Sequence, residues 1–210
     1  LDESKASEAS GAGDTGLADL PARPLRADAR RNRDRLVAAA ASAFGTEGVD
    51  TSLEAIARSA GVGIGTLYRH FPTREALIEV VYCREVEALV AAAEDLSCTQ
   101  PADEALAQWM QRFVDYIAAK RGMGESLKIL FVSKSPLFAE KSGLIPLALK
   151  GLVDRAVAAG AIRADADSGD VLHALSSVYA AASGPDWRER SRRLVRLLMD
   201  GLRYGAPARP

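Results

Sequence analysis

Cysteine, histidine and long apolar runs are all scarce in this sequence of 210 residues. Its two cysteines, Cys83 and Cys98, have the spacing of neither a zinc knuckle nor a redox pair, and a chain this large needs no stapling; both read as reduced thiols. The two histidines, His70 and His173, lie in separate regions, and no serine or cysteine has a partner arrangement for nucleophilic catalysis. Gly61, Gly63 and Gly65 do not make a nucleotide loop, because the residues before them are helical and the third glycine is wrongly spaced. Asp165, Asp167 and Asp170 lack the turn glycine and terminal glutamate of a calcium loop and read as helix caps. No enzyme, metal or cofactor is therefore expected. No apolar run approaches the ~20 residues that cross a bilayer, and no cationic stretch leads into an apolar signal core, so the expected location is the cytoplasm, away from membranes.

Charge is balanced overall, at -1, but unevenly spread. Residues 1–20 carry one basic and five acidic side chains, 21–74 nine and five, and 75–210 seventeen and eighteen. The positive excess thus falls on one short segment, as a phosphate-binding part requires, while the remainder has the balance of a globular body. With 48% hydrophobic residues the chain can bury a sizeable core.

The most informative stretch runs from Thr51 to Arg74. Leu53, Ile56, Ala57 and Ala60 form the apolar stripe of a short helix, with Thr51 as N-cap and Glu54 completing a capping box. Gly61-Val62-Gly63 punctuates it, Gly61 being suited to the left-handed closing position. A second short helix then places Ile64, Leu67 and Phe71 on one side, with Thr66 and Arg69 opposite and Tyr68 and His70 at the flanks, before Pro72 ends it. Two short helices joined by a glycine turn, the second displaying hydroxyl, aromatic and cationic groups, describe a helix-turn-helix whose second helix fits a major groove.

The segment LEAIARSAGVGIGTLYRHFPTREAL resembles the DNA-binding signature of the tetracycline-repressor (TetR) family of bacterial regulators, closely over about residues 36–81. The resemblance implies an all-helical homodimer on a near-palindromic operator, released when a small-molecule effector occupies a second domain. It implies that Thr51 and Ser52 position the backbone, that Tyr68 and His70 reach phosphates, that Thr66 meets a phosphate or base methyl, and that Arg69 meets a guanine edge or phosphate. Arg74 stands where the family often has lysine and would grip a phosphate. Gly63 and Ile64 depart from the polar residues common there, so base reading would lean on thymine methyls and DNA shape.

Around this stretch, residues 1–27 read as a disordered tail with a basic end. Arg23, Arg26, Arg30, Arg31, Arg33 and Arg35 gather there, either as a solvated helix face or as an arm that meets phosphates. A first helix is predicted from about Arg30 to Phe44, completing a DNA-binding domain over 28–76. A rod from Thr73 to about Leu96, some 36 Å long at 1.5 Å per residue, leads into a ligand-binding and dimerisation domain over 77–205. There a helix from Ala102 is broken at Arg121-Gly122, a second starts at Glu125, Ser135-Pro136 forms a loop, and helices follow over 144–159, 167–182 and 186–204. The fold expected is all-α, about nine helices without strand or repeat.

Trp109, Phe113, Tyr116 and Phe131 would line an effector pocket, or else form ordinary core. Val171, Leu172, Leu175, Val178, Tyr179 and Ala182, with Leu194, Val195, Leu197, Leu198 and Leu202, suit either a four-helix dimer interface or a monomer core. The combined expectation is a dimeric regulator, a repressor, binding double-stranded DNA and a small molecule. The alternative is a helical ligand-binding or protein-interaction module without specific DNA binding, which leaves the joint display of Thr66, Tyr68, His70 and Arg74 without a reason.

Overall fold

In the computed structural model, residues 22–48, 51–132, 140–141, 143–181 and 184–204 are described. Among them are eight principal helices and no strand: α1 (Ala22–Thr46), α2 (Leu53–Ser59), α3 (Ile64–His70), α4 (Arg74–Thr99), α5 (Ala102–Val132), α6 (Leu144–Ala158), α7 (Ser168–Ala181) and α8 (Trp187–Arg203). The architecture is the expected all-α one. The count of eight arises because the predicted break after Arg121 is a kink inside α5, at Gly124, whose backbone (φ 48°, ψ −129°) leaves the helical region. Glycine alone adopts that conformation readily, so two helical segments meet at this kink, the second starting at Glu125 as expected. The loop expected at Ser135-Pro136 and residues 1–21 of the expected tail lie outside the described residues.

Helix α1 starts at Ala22, well before Arg30. Its extra turns are rich in Ala, Leu and Arg, good helix formers, and Pro24 falls in the first turn, where a missing N–H is no loss. The basic cluster therefore lies on a helix, in line with the first of its two readings. Leu36, Val37, Ala40 and Phe44 form its buried face. Helix α1 packs on α2 and α3, and also broadly on α4 and α5, so it spans both parts of the molecule.

Helix α2 begins one residue later than its capping-box reading. Ser52 is the N-cap, its Oγ accepting from Ala55 N at 3.0 Å, which stabilises the start by about 1 kcal/mol. Glu54 consequently stands too early to complete a box. Thr51 turns inward, 2% exposed, and its Oγ1 donates toward the carbonyls of Gly48 (3.0 Å) and Ala43 (3.3 Å). Gly61 closes the helix at φ +67°, with Val62 N donating back to Ala57 O at 3.0 Å.

Thr73 caps α4, its Oγ1 accepting from Ala76 N at 3.1 Å. Helix α4 makes its largest interface with α5 and also packs on α1 and α6. Val81, Val86, Leu89 and Leu96 are buried as the pattern indicates, joined by Ile78, Tyr82 and Cys83, while Val80 and Val90 are half-buried. Asp167 caps α7, accepting from Gly169 N and Asp170 N at 2.8 and 3.0 Å. Asp186, expected to cap α8, makes no side-chain cap bond; only its carbonyl enters the helix. One apolar cluster runs unbroken from α1 to α8.

Candidate nucleic-acid interface

The helix-turn-helix is held by few but complete contacts. Leu67 is fully buried and Phe71 is 2% exposed, which fixes α3 against α1 and α2. Arg33 of α1 lies 5.5 Å over the Phe71 ring, closing the outer end of that packing. With Leu67 pinned inward, Gly65, Tyr68 and Arg69 face outward at i, i+3 and i+4, and Tyr68 is 47% exposed. Thr66, Ile64 and His70 sit half-buried at the margins, the His70 ring tilted against Phe71 at 6.3 Å. The outward face is thus centred on Tyr68 and Arg69, a step round from the Thr66–Arg69 face read from spacing. Gly63 starts the helix in extended conformation, with open space where a side chain would be.

Two of the residues expected at phosphates also make contacts within the protein. The Thr51 hydroxyl is spent on Gly48 and Ala43, so it is withdrawn from any ligand. Arg74 donates from its guanidinium to the Thr51 carbonyl at 2.7 Å and lies 5.3 Å over the Phe44 ring. That bond ties the corner before α2 to the start of α4. Ser52 stays exposed beside that corner, as do Arg58 of α2 and Arg30, Arg31, Arg33 and Arg35 of α1. Arg31 is paired with Asp28, and Arg35 donates to Asn32 Oδ1 at 2.5 Å.

In the body, the four residues expected around an effector part company. Trp109 is fully buried and its Nε1 donates to Leu89 O at 2.9 Å, so its one polar atom is already satisfied. Tyr116 stacks obliquely between Phe113 (5.6 Å) and Tyr82 (6.4 Å). These rings are core. The side chain of Phe131 lies outside the described ones. Phe113 also borders an apolar cleft among α5, α7 and α8.

Sequence reading missed a tie between the body and the helix-turn-helix. Arg188, in the first turn of α8, donates to the carbonyl of Gly45 near the end of α1. Its partner stands 143 residues away, and no local pattern announces such a bond. Its neighbour Trp187 has two cations over its ring, Arg121 at 4.6 Å and Arg188 at 5.7 Å from the centroid.

The chain matches the family model described as bacterial regulatory proteins, tetR family, over residues 36–81, and the model described as transcriptional regulator SbtR-like, C-terminal domain, over residues 101–204. Among solved structures it is similar to a TetR transcriptional regulator from Streptomyces coelicolor, 46% identical with a TM-score of 0.73, over 83% of this chain and 99% of that one. A TetR transcription regulatory protein from Mycobacterium vanbaalenii is 35% identical with a TM-score of 0.67, over 86% and 99%. Among curated proteins, an HTH-type transcriptional regulator of Staphylococcus aureus is 39% identical over 67 residues; the match spans 31% of this chain and about a third, 36%, of that relative. The second half of the chain thus has its likeness in the solved structures and the C-terminal family model. With a helix-turn-helix built on Ser52, Gly61 and Leu67 and relatives of this kind along most of its length, the chain belongs to the TetR family of bacterial transcriptional regulators.

Proposed function

We propose that the protein is a homodimeric repressor that binds a near-palindromic operator and is released by a small-molecule effector. The observation that carries this reading is the outward face of α3, where Tyr68 and Arg69 are exposed while Leu67 and Phe71 are locked beneath them. Residues 28–76 form the DNA-binding domain and 77–205 the effector and dimerisation domain. Tyr68 and His70 hold phosphates, Arg69 a guanine edge or phosphate, Thr66 and Ile64 the thymine methyl side, and Ser52 the backbone beside Gly63. Thr51 and Arg74 support the corner that presents them. A partner of this kind places the working protein in the cytoplasm, and among the described residues no helix is long and apolar enough to cross a membrane.

Dimerisation has its support on α8. Val195 and Leu202 belong to the protomer's own core, whereas Leu194 and Leu197 are exposed, Leu197 by 67%. Exposed Gly201 and Tyr204 continue the same row at helical spacing. Leu172 and Val178 of α7 are half-buried nearby in sequence order, and Tyr179 and Ala182 belong with the residues whose side chains are not described. Two such rows meeting about a two-fold axis would set the recognition helices about 34 to 36 Å apart, one groove repeat.

The test is fluorescence anisotropy on DNA from upstream of the protein's own gene, against a shuffled fragment, at two salt concentrations. Preference by ~10³ or more is the expected result for a sequence-specific regulator. Equal and steeply salt-dependent binding to both fragments would reduce the site to a basic patch.

A further inference from the structure

We propose that the acidic residues 1–20 dock on the helix-turn-helix of their own protomer and occupy its exposed arginines in competition with DNA. The proposal rests on the DNA-binding reading of α3 and adds a restraint carried by the same chain. Three observations support it. First, the charges are complementary in sign and in amount. Residues 1–20 carry five acidic and one basic side chain, and residues 21–74 nine basic and five acidic, giving net charges of −4 and +4. Residues 75–210 are nearly balanced, so the acidic excess has its counterpart on the DNA-binding part.

Second, the cations are exposed and gather around α3. Arg33 lies over Phe71 at the end of α3, and Arg35 reaches the turn before it, its Nη1 3.6 Å from where a side-chain carbon on Gly61 would sit. Arg69 is exposed on α3 itself and Arg58 on α2. Among the described residues, Arg30, Arg33, Arg58 and Arg69 have no carboxylate partner. A guanidinium accepts a carboxylate or a phosphate in the same forked geometry, so one occupant excludes the other. Third, the attachment point and length suit the docking. Residues 1–21 lie outside the described residues and join the first turn of α1 at Ala22. Gly, Ser and Ala make up half of residues 1–20, and a chain of that kind spans about 25 Å root-mean-square over twenty residues. Helix α1 rises ~20 Å from Ala22 to Arg35, within that reach. Tethering supplies an effective concentration in the millimolar range, at which individually weak surface ion pairs form at low salt and yield to a polyanion.

The test compares the full chain with a variant neutral over residues 1–20, carrying Asp2→Asn, Glu3→Gln, Glu8→Gln and Asp14→Asn, in which Lys5 and Asp19 remain and cancel. All four substitutions lie outside the described fold and leave every candidate DNA contact in place. Docking is read without DNA, by a nitroxide on Ser7→Cys in a Cys98→Ser background, Cys83 being buried. The label is expected to broaden the amide signals of Tyr68 and Arg69 at low salt. The broadening should vanish in the neutral variant and in ~0.5 M salt, where screening acts within a few ångströms. Competition is read by anisotropy on DNA from upstream of the protein's own gene. The neutral variant is expected to bind about tenfold more tightly at ~0.05 M salt and with a steeper salt dependence, the two proteins converging by ~0.5 M. Broadening that is absent from the native sequence, or unchanged by charge and salt, overturns the docking. Tighter DNA binding without loss of broadening is long-range repulsion and overturns it equally. Broadening lost with the charges while DNA affinity stays the same overturns the competition. Failure of the regulator reading shows separately, because both proteins would then lack preference for the upstream fragment over a shuffled one, whatever the label reports.

Discussion

Glu85 of α4 is drawn partly out of water, and that burial, only partly offset by Arg84, holds its carboxyl above the usual glutamate range. A group whose folded pKa is raised favours folding while it is protonated, and that contribution is lost as pH climbs through the raised value. Glu85→Gln is therefore expected to raise the melting temperature at pH 7 and to change it little at pH 4, read by thermal circular dichroism. Burial likewise pushes the Cys83 thiol up to about 11, with the negative charges of Glu79 and Glu87 adding to it, whereas Cys98 is exposed. At pH 8, iodoacetamide should modify Cys98 first and Cys83 only on unfolding, one adduct then two by mass spectrometry. At this scale the sequence was readable for residues whose role follows from type and spacing: Leu67 and Phe71 inward and Arg69 outward, whereas Tyr68, read at the flank, is exposed and Thr66, read as outward, is half-buried. It was unreadable where two adjacent residues compete for one task. Thr51 and Ser52 are both competent caps, and which of them caps depends on the carbonyls of Ala43 and Gly48, supplied by another helix.

The elements divide along the same line. Gly61 at φ +67° was legible because a short apolar stripe ending on glycine has few other ways to turn. Gly61→Ala should cost about 1–2 kcal/mol of domain stability, measured by urea denaturation, since the added carbon is strained in the left-handed region. The break in α5 was legible to within two residues, read at Arg121-Gly122 with a new helix from Glu125; both glycines weaken the helix locally, and the packing of the two halves, which selects Gly124, is not a local property. The early start of α1 was missed for a different reason: polar, basic composition looks like a solvated tail until a helix has something to continue into. Trp109 belongs here too. Aromatic residues at helical spacing suit a pocket and a core equally, and its bond to Leu89 across the α4–α5 interface decides for the core.

At the scale of the whole molecule, the uneven charge and the shift from a compact N-terminal motif to a long helical body were visible in the sequence, while the contacts joining them were not. Arg188 and Gly45 show why: a bond spanning most of the chain leaves no periodic trace. The exposed row on α8 gives the molecular-scale test. Leu197→Arg should yield monomers by analytical ultracentrifugation, with native helicity retained, and should weaken operator binding by a hundredfold or more because each half-site is then bound alone. Dimers of unchanged stability would remove α8 from the interface.

Gly63 and Gly65 stand at the start of α3 with nothing within 4 Å of where a first side-chain carbon would go, and neither has a left-handed backbone. A Cβ at either position would therefore displace no protein atom, and at Gly65 the helix would gain about 0.5–1 kcal/mol from alanine alone. On the proposed docking of α3 these are two blank characters in the reading surface, and substitutions there are expected to change operator preference without a compensating change elsewhere in the fold.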